Sequence, residues 1–201
     1  MVTASDLLKW NPEYYTIWNH RRLIIHHLLS QPEVQLSPRD SSDTLLDYNG
    51  MIDVISNDLD FLVPLLRKFP KCYWIWNYRL WLLQESTKRL PLRHARQFWE
   101  QELVLVGKML TLDSRNFHGW GYRRTIVAAL ESSQLQVGEY PTRMTEQEFE
   151  YTTKMINANL SNFSAWHNRS KLILKLLNER NADDTARRKF LDEGERLFAC
   201  D

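Results

Sequence analysis

The chain has 201 residues, of which 43% are hydrophobic and 12% aromatic, enough to bury a large core as one domain. Its 26 basic and 25 acidic residues give a net charge of +1, which provides no bulk attraction to nucleic acid or to an anionic membrane. No apolar run approaches the roughly 20 residues of a membrane-spanning helix and the amino terminus lacks the regions of a signal peptide, so we predict a cytoplasmic protein.

Four repeats mark the chain, each built around a tryptophan that is followed three residues later by an arginine in an aromatic, helix-forming segment. The pairs are Trp18 with Arg21, Trp76 with Arg79, Trp120 with Arg123, and Trp166 with Arg169. The intervals between them, roughly 45 to 60 residues, exceed the tetratricopeptide period of about 34 and approach those of larger helix-pair repeats. The recurrence therefore predicts a stack of helix pairs.

The first repeat, residues 4–30, is predicted to join a short helix at Ala4–Lys9 to a longer one. Pro12 marks the start of the longer helix, because proline suits the first helical position, where its missing N–H would be unpaired anyway. Residues 31–50 are rich in proline, serine and aspartate, a composition typical of a surface loop. We expect this loop to be an insertion between repeats.

The second repeat, residues 44–86, has leucines and isoleucines at near-helical spacing up to Phe69. Pro70 is predicted to begin its second helix, which continues through residues 72–84. The run YWIWNYRLWLL at 73–83 is hydrophobic around nearly its whole circumference, and such a helix must be covered on more than one side. We expect it to pack against neighbouring helices or to meet a partner protein.

The later repeats follow the same plan. The third, 93–131, pairs predicted helices at 98–112 and 114–130, and the fourth, 145–178, pairs helices at 147–159 and 162–177, with a loop at 131–143 between them. A partial fifth repeat, 182–201, contains one predicted helix at 183–200. Because neither end offers the polar capping repeat that a solenoid needs for solubility, we expect the single domain, 1–201, to be incomplete at both ends.

The scarcity of glycine, six residues in all, favours long helices over β structure. We therefore predict an all-α fold, an α-α superhelix in which antiparallel helix pairs form a solenoid. The cysteines, Cys72 and Cys200, do not suggest a disulfide framework, and the six histidines lack HExxH or equivalent ligand spacing. This chain is predicted to bind no metal or other cofactor.

Four segments of the chain resemble the repeats of protein prenyltransferase alpha subunits. They read NPEYYTIWNHRR at 11–22, FPKCYWIWNYRLWLL at 69–83, DSRNFHGWGYRR at 113–124 and NLSNFSAWHNR at 159–169. The resemblance covers roughly residues 5–178 and is greatest to the alpha subunits of type II enzymes, the Rab geranylgeranyltransferases. It implies a crescent of helix pairs that wraps an α/α-barrel beta subunit.

The resemblance also implies a function. A heterodimer of this family transfers a geranylgeranyl group from geranylgeranyl diphosphate to C-terminal cysteines of Rab GTPases, which a Rab escort protein presents. Zinc and the isoprenoid pocket belong to the beta subunit in that family, so this chain would be an enzyme only with its beta partner. Two alternatives stay open: the alpha subunit shared by farnesyltransferase and type I geranylgeranyltransferase, and a prenyltransferase-like repeat scaffold without transfer activity.

Candidate site residues follow from the same resemblance. In the family, a Pro-Lys-x-Tyr sequence directs its lysine and tyrosine at the diphosphate, and Lys71 and Tyr73 stand in those places. Because Lys71 follows the predicted helix start, the positive end of a helix dipole would add to its charge. Asn116 and His118 resemble residues that face the beta subunit or the diphosphate, whereas Phe117 replaces a tyrosine of some relatives.

Each candidate also has a purely structural interpretation. An arginine of a Trp-x-x-Arg pair can stack on its tryptophan or bridge to a carboxylate on a neighbouring helix, because residues three apart share a helix face. Most lysines are solvated, so Lys71 can be one of them, and histidines such as His118 are usually satisfied structurally. Aromatic residues corresponding to Tyr73, namely Tyr15, Phe117 and Phe163, suggest that the repeat needs an aromatic ring there for packing.

Overall fold

The computed structural model describes residues 3–31, 48–138 and 142–196, and the chain divides into two compact units, the first ending at Thr142 and the second beginning at Arg143. Throughout the described residues the regular structure is helical and contains no strand, which confirms the predicted all-α fold. None of the helices in this part of the chain is apolar over the length that crossing a bilayer requires.

Within the described residues, unit 1 contains three helix pairs, and unit 2 contains one pair and a further helix. The pairs of unit 1 are α1 (Ala4–Trp10) with α2 (Tyr15–Leu28), α3 (Asn49–Lys68) with α4 (Tyr73–Arg89), and α5 (Leu92–Leu112) with α6 (Phe117–Glu131), followed by a 3-10 turn at Ser133–Leu135. Unit 2 contains α7 (Thr145–Ala158), α8 (Phe163–Glu179) and α9 (Asp184–Arg196). The predicted helix-pair repeats are therefore present.

Helix α4 lies at the centre of unit 1, where it packs against α2, α3, α5 and α6. Its buried apolar side chains point in several directions around the helix: Ile75, Trp76, Tyr78, Leu82 and Leu83. Burial of each such side chain contributes roughly 1.5–3 kcal/mol to stability. The prediction that this helix is covered on more than one side is confirmed.

The predicted helix starts at Pro12 and Pro70 are wrong. Helices α2 and α4 begin three residues later, at Tyr15 and Tyr73. The reason lies in the proline carbonyl groups. The Pro12 carbonyl accepts a hydrogen bond from the Trp18 indole at 2.7 Å, and the Pro70 carbonyl accepts one from Trp76 at 2.8 Å, so each proline belongs to a turn before the helix.

This tryptophan-anchored turn recurs in every repeat. In the third and fourth repeats the Trp120 and Trp166 indoles donate to the carbonyl groups of Ser114 and Leu160, at 2.9 and 2.8 Å. In all four cases the acceptor lies six residues before the tryptophan. The tryptophan of the Trp-x-x-Arg motif therefore stabilises the turn that precedes its own helix.

Other boundaries differ from the predictions or lie outside the described residues. Helix α4 runs to Arg89 and α5 starts at Leu92, so both are longer than expected, and α3 already begins at Asn49 within the predicted insertion. The predicted loop at 131–143 contains the 3-10 turn, whose Leu135 is buried and accepts a hydrogen bond from Arg96 at 2.7 Å. Residues 32–47 of the insertion and second repeat, 139–141, and 197–201 with Cys200 lie outside the described residues.

The motif arginines connect successive helix pairs in unit 1. Arg79 on α4 is 2% exposed and forms a buried ion pair with Glu102 on α5, with 3.0 Å between its Nε and Oε2. It also donates to the Leu59 carbonyl of α3 at 2.7 Å. Tyr122 on α6 donates to the same Glu102 carboxylate at 2.6 Å. One carboxylate thus joins the arginine of the preceding pair to the tyrosine of its own pair.

The same arrangement occurs one repeat earlier. Arg21 on α2 pairs with Asp58 on α3, with 2.9 Å between Nε and Oδ1, and donates to Ser5 of α1 at 2.9 Å. Tyr78 on α4 donates to the second oxygen of Asp58 at 2.7 Å. The expected bridge to a carboxylate on a neighbouring helix is therefore confirmed for Arg21 and Arg79. In unit 2, Arg169 donates to Thr153 and lies over the Phe149 ring.

Burial and charge both act on this cluster. Burial alone would lower the pKa of Arg79, but the adjacent Glu102 carboxylate more than offsets this and raises it. Burial, and then the Glu102 charge, raise the pKa of Tyr122 well above its ordinary value. The arginine is therefore charged and the tyrosine neutral at physiological pH, as their hydrogen bonds require.

We expect Arg79→Met to lower the free energy of unfolding by about 3–5 kcal/mol, because Glu102 would remain buried without its countercharge. Chemical unfolding followed by circular dichroism measures this loss. As a matched control, Lys9→Met removes an exposed partner of Asp6 and should change stability by about 0–1 kcal/mol. Equal effects of the two substitutions would contradict the importance of the buried pair.

The residue before the second helix links neighbouring turns. Asn116 precedes α6, accepts a hydrogen bond from the Gly119 N–H at 3.2 Å and donates its Nδ2 to the Pro70 carbonyl at 2.8 Å. Cys72 precedes α4 with similar backbone angles, and its Sγ lies 3.5 Å from the Pro12 carbonyl. The cysteine makes no capping hydrogen bond like that of Asn116, and only the weaker contact of its sulfur with the N–H groups of Trp74 and Ile75 connects it to its own helix.

Cys72→Asn is therefore expected to stabilise the protein by about 0.5–1 kcal/mol, because asparagine would both cap α4 and donate to the Pro12 carbonyl. The reverse exchange, Asn116→Cys, should destabilise it by about 1–2 kcal/mol for the same reason. Unfolding midpoints in urea report both changes. A destabilising effect of Cys72→Asn would show that the two caps are not equivalent.

Candidate functional site

Lys71 lies in the turn between α3 and α4, one residue before the cap of α4. Its side chain is 73% exposed, and its Nζ lies 3.8 Å from the Asp113 carboxylate in the corresponding turn between α5 and α6. The amino-terminal end of α4 follows at once, so the backbone N–H groups of its first turn lie close in sequence to the ammonium group. This turn offers a mobile cation beside the positive end of a helix, a combination that suits an anionic ligand.

Tyr73 is the first residue of α4, and its ring is 51% exposed. Its hydroxyl oxygen accepts a hydrogen bond from Asn77 Nδ2 at 3.1 Å, and Asn77 Oδ1 accepts one from Arg22 at 2.6 Å. Because the oxygen is occupied as an acceptor, the Tyr73 proton remains available for donation to a ligand. A chain of hydrogen bonds that starts at a cation strengthens such a donor.

Asn77 and Arg22 are functional candidates that the sequence analysis did not identify. Asn77 lies four residues after Tyr73, a spacing at which two side chains meet on one helix face, and this spacing could have revealed it. Arg22 comes from α2, so its contact with α4 depends on the packing of two repeats. Burial lowers the pKa of Arg22, and its charge is favoured by Tyr78 and Tyr73.

His118 lies on the first turn of α6 and connects the third repeat to the Lys71 turn. Its ring hydrogen-bonds to the Lys71 backbone, and its centroid lies 6.2 Å from that of Tyr73. Burial lowers the pKa of His118 despite this hydrogen bond, so the ring is mostly neutral at physiological pH. The structure therefore brings His118, Lys71 and Tyr73 together.

Asn116 is also close to this turn, but its amide group is directed inward. The side chain is buried, and its oxygen and nitrogen contact Gly119 and Pro70 as described above. These contacts position the turn that carries Lys71. Contact of Asn116 with the diphosphate or the beta subunit stays a prediction.

Exposed and half-buried rings form a continuous strip across the three repeats of unit 1, which we call the aromatic strip. Ring contacts connect its members in the order Tyr15, Trp74, Tyr73, His118 and Phe117, with centroid separations of 5.9, 5.3, 6.2 and 3.9 Å. Tyr15 is 56% exposed and Phe117 68% exposed. The strip follows the amino-terminal ends of α2, α4 and α6.

That the repeat needs an aromatic ring at the Tyr73 position for packing stays a prediction, but these rings do not lie in the core. All four residues at that position are exposed, including Phe163 in unit 2. The physical reason is that this residue begins its helix, where the ring extends beyond the packed faces, whereas Trp18, Trp76 and Trp120, three residues later in unit 1, enter the core. The aromatic strip is thus available to a partner.

No zinc site is formed by the described parts of the chain, because no three histidine, cysteine, aspartate or glutamate side chains come together there. Burial raises the pKa of the Cys72 thiol to about 11, so it is not a thiolate at physiological pH. The histidine, cysteine, aspartate and glutamate side chains of the described residues therefore do not provide a set of ligands for a zinc ion. Zinc in the beta subunit stays a prediction.

Comparison with known proteins identifies the repeats. The family model described as "Protein prenyltransferase alpha subunit repeat" matches residues 2–28, 55–86, 99–130 and 145–176. Each of these segments overlaps one predicted repeat, and together they include every Trp-x-x-Arg pair.

Curated relatives are named "Geranylgeranyl transferase type-2 subunit alpha". The Candida albicans protein is 43% identical over 89% of this chain and 44% of its own length, and the Saccharomyces cerevisiae protein is 39% identical over 86% and 44%. The Homo sapiens protein is 35% identical over 86% of this chain and 25% of its own length. The chain thus spans less than half the length of these relatives.

A solved structure shows the same fold. It is entitled "Candida albicans protein geranylgeranyltransferase-I complexed with GGPP", and its matching chain has a TM-score of 0.63 and 20% sequence identity. The match covers 98% of this chain and 53% of that chain. Because the repeat family matches more than half of the sequence in four ordered copies, this chain belongs to the protein prenyltransferase alpha subunit repeat family.

Proposed function

We propose that this chain acts in the alpha subunit of a heterodimeric Rab geranylgeranyltransferase. The enzyme transfers a geranylgeranyl group from geranylgeranyl diphosphate to C-terminal cysteines of Rab GTPases that an escort protein presents, and it is active only with a beta subunit. The names of the relatives at 35–43% identity support the type II enzyme. A cytoplasmic location stays part of this proposal.

The observation that carries the proposal is the placement of Lys71 and Tyr73 in one exposed turn. During prenyl transfer, negative charge grows on the diphosphate as its bond to the prenyl carbon breaks, and preorganised donors stabilise that charge. The Lys71 ammonium and the Tyr73 hydroxyl supply two such donors. His118 supports both, through the Lys71 backbone and the Tyr73 ring.

The aromatic strip supports the second part of the proposal, docking of the beta subunit. Tyrosine, tryptophan and phenylalanine side chains are enriched in protein interfaces, where a few of them provide most of the binding energy. The strip passes through Tyr73, so the docking surface is continuous with the diphosphate site. A catalytic centre shared by two subunits would then form at their contact. Zinc expected in the beta subunit would activate the thiol of the substrate cysteine.

The alternatives differ in measurable ways. A shared alpha subunit of farnesyltransferase and type I geranylgeranyltransferase would act on peptides that end in a CaaX box, whereas a type II enzyme would require a Rab protein and its escort. A repeat scaffold without transfer activity would tolerate loss of the Lys71 ammonium. Both alternatives are tested by assaying the heterodimer with the two kinds of substrate.

Lys71→Ala in the assembled heterodimer is expected to lower kcat by about 100- to 1,000-fold, because it removes a charged donor to the leaving diphosphate. Tyr73→Phe should lower kcat by about tenfold, because it removes one neutral hydrogen bond and keeps the ring. Steady-state transfer to a Rab protein with its escort, at saturating substrate, measures both changes.

Lys68→Ala is the matched control for this experiment. Lys68 is an exposed lysine in the last turn of α3, where it lies over the Phe69 ring and donates to the Lys9 carbonyl. Its removal should leave kcat within about twofold, since it takes no part in the proposed site. An unchanged rate for Lys71→Ala would leave only the scaffold function.

Substitution of the aromatic strip should weaken binding of the beta subunit. Tyr15→Ser and Phe117→Ser are each expected to cost about 1–2 kcal/mol of binding free energy, measured by titration of the two subunits. Val104→Ser changes an exposed apolar residue of α5 outside the strip and should cost almost nothing. If all three variants bound equally well, the strip would not be the docking surface.

A further inference from the structure

The two carboxylate oxygens of Asp113 make different contacts, one within its own turn and one with a cation of the preceding repeat. Oδ1 accepts a hydrogen bond from the Arg115 N–H at 3.3 Å, and this contact shapes the turn before α6. Oδ2 lies 3.8 Å from the Lys71 ammonium in the preceding repeat. The carboxylate is one-third exposed and the lysine far more so, hence the pair contributes little to folding stability.

The turn itself does not require a negative charge at this position. The corresponding residues of the first and fourth repeats are Asn11 and Asn159, seven residues before their tryptophans, as Asp113 is before Trp120. Their side-chain oxygens accept from the backbone N–H two residues on, at 3.0 Å in both cases. Asparagine therefore makes the same turn in this chain.

The charge of Asp113 must then act on something other than the turn. Asp113 lies within ion-pair distance of Lys71, the lysine assigned above to the diphosphate. The second repeat has Phe69 at the equivalent position, so the Lys71 turn carries no such carboxylate of its own. A negative group from the next repeat therefore lies within reach of the ammonium that would bind the diphosphate.

We propose that Asp113 is a positioning residue that competes with the diphosphate for Lys71. This inference rests on the proposed function, because it assumes that Lys71 binds the diphosphate. In the unliganded protein the carboxylate holds the ammonium beside the site. A bound diphosphate takes the ammonium over, and after transfer the carboxylate recaptures it, which favours release of inorganic diphosphate.

The sign of the effect follows from the charges. Asp113→Asn removes a competitor for the lysine and also a like charge close to the diphosphate, so anions should bind more tightly. For charges several ångströms apart near a protein surface, the expected gain in affinity is roughly three- to tenfold. The gain should shrink as salt is added, because exposed charges are screened over about 10 Å at 0.1 M ionic strength.

The test measures the Kd of inorganic diphosphate for the assembled heterodimer by isothermal titration calorimetry at low and high salt. Asp113→Asn is expected to lower this Kd three- to tenfold at low salt, and Lys71→Ala to raise it at least tenfold. In the Lys71→Ala background, Asp113→Asn should recover only the smaller part of the gain that comes from removing a like charge, because no ammonium remains to be released. Asp60→Asn removes an equal charge from an exposed site on α3 and should leave the Kd unchanged.

The outcomes separate this inference from the proposed function. If Lys71→Ala lowers the affinity while Asp113→Asn leaves it unchanged or weakens it, the competition is refuted and the diphosphate site stands. If the full gain of Asp113→Asn persists without Lys71, the carboxylate acts by simple repulsion and the competition is again refuted. If Lys71→Ala leaves the Kd unchanged, both the site and the inference fail. Thermal unfolding of Asp113→Asn should match that of the unaltered protein, since asparagine keeps the turn.

Discussion

A buried carboxylate shared between two helix pairs is the interaction on which the arrangement of unit 1 depends. Glu102 joins Arg79 of the preceding pair to Tyr122 of its own pair, and Asp58 does the same for Arg21 and Tyr78. A carboxylate that loses such partners in a dry interior is costly, so alternative registers between pairs are disfavoured. The charged cluster therefore specifies how one pair follows the next.

This register is also what assembles the candidate site. When the helix pairs are held in sequence, the turn before α6 lies against the turn before α4, and Asn116 can donate to the Pro70 carbonyl. Lys71 is thereby placed between its own helix and the His118 and Asp113 side chains of the next repeat. A structural repeat thus becomes a functional surface because adjacent copies carry different residues at equivalent positions.

Local charge, and not net charge, distinguishes this surface. The chain is almost neutral overall, yet the second and third repeats place the cations Lys71 and Arg115 where the first has Glu13 and the fourth has Ser161. The same turn in the second repeat carries the tyrosine whose hydroxyl is held by Asn77. Residue differences at equivalent positions of the repeats therefore indicate which repeat of such a protein has acquired a specific role.

The sequence by itself determined the helical class, the number of matched repeats and the resemblance that leads to Lys71 and Tyr73, because aromatic spacing and helical periodicity are local properties. It could not identify Asp58 and Glu102 as partners of Arg21 and Arg79, nor the contact of Asp113 with Lys71, since each joins different repeats. It also misplaced Pro12 and Pro70 at helix starts, because the carbonyl group of each proline accepts a hydrogen bond from a tryptophan indole six residues later. Only the tertiary structure decided which aromatic rings stay exposed, since exposure depends on where a helix ends relative to its neighbours.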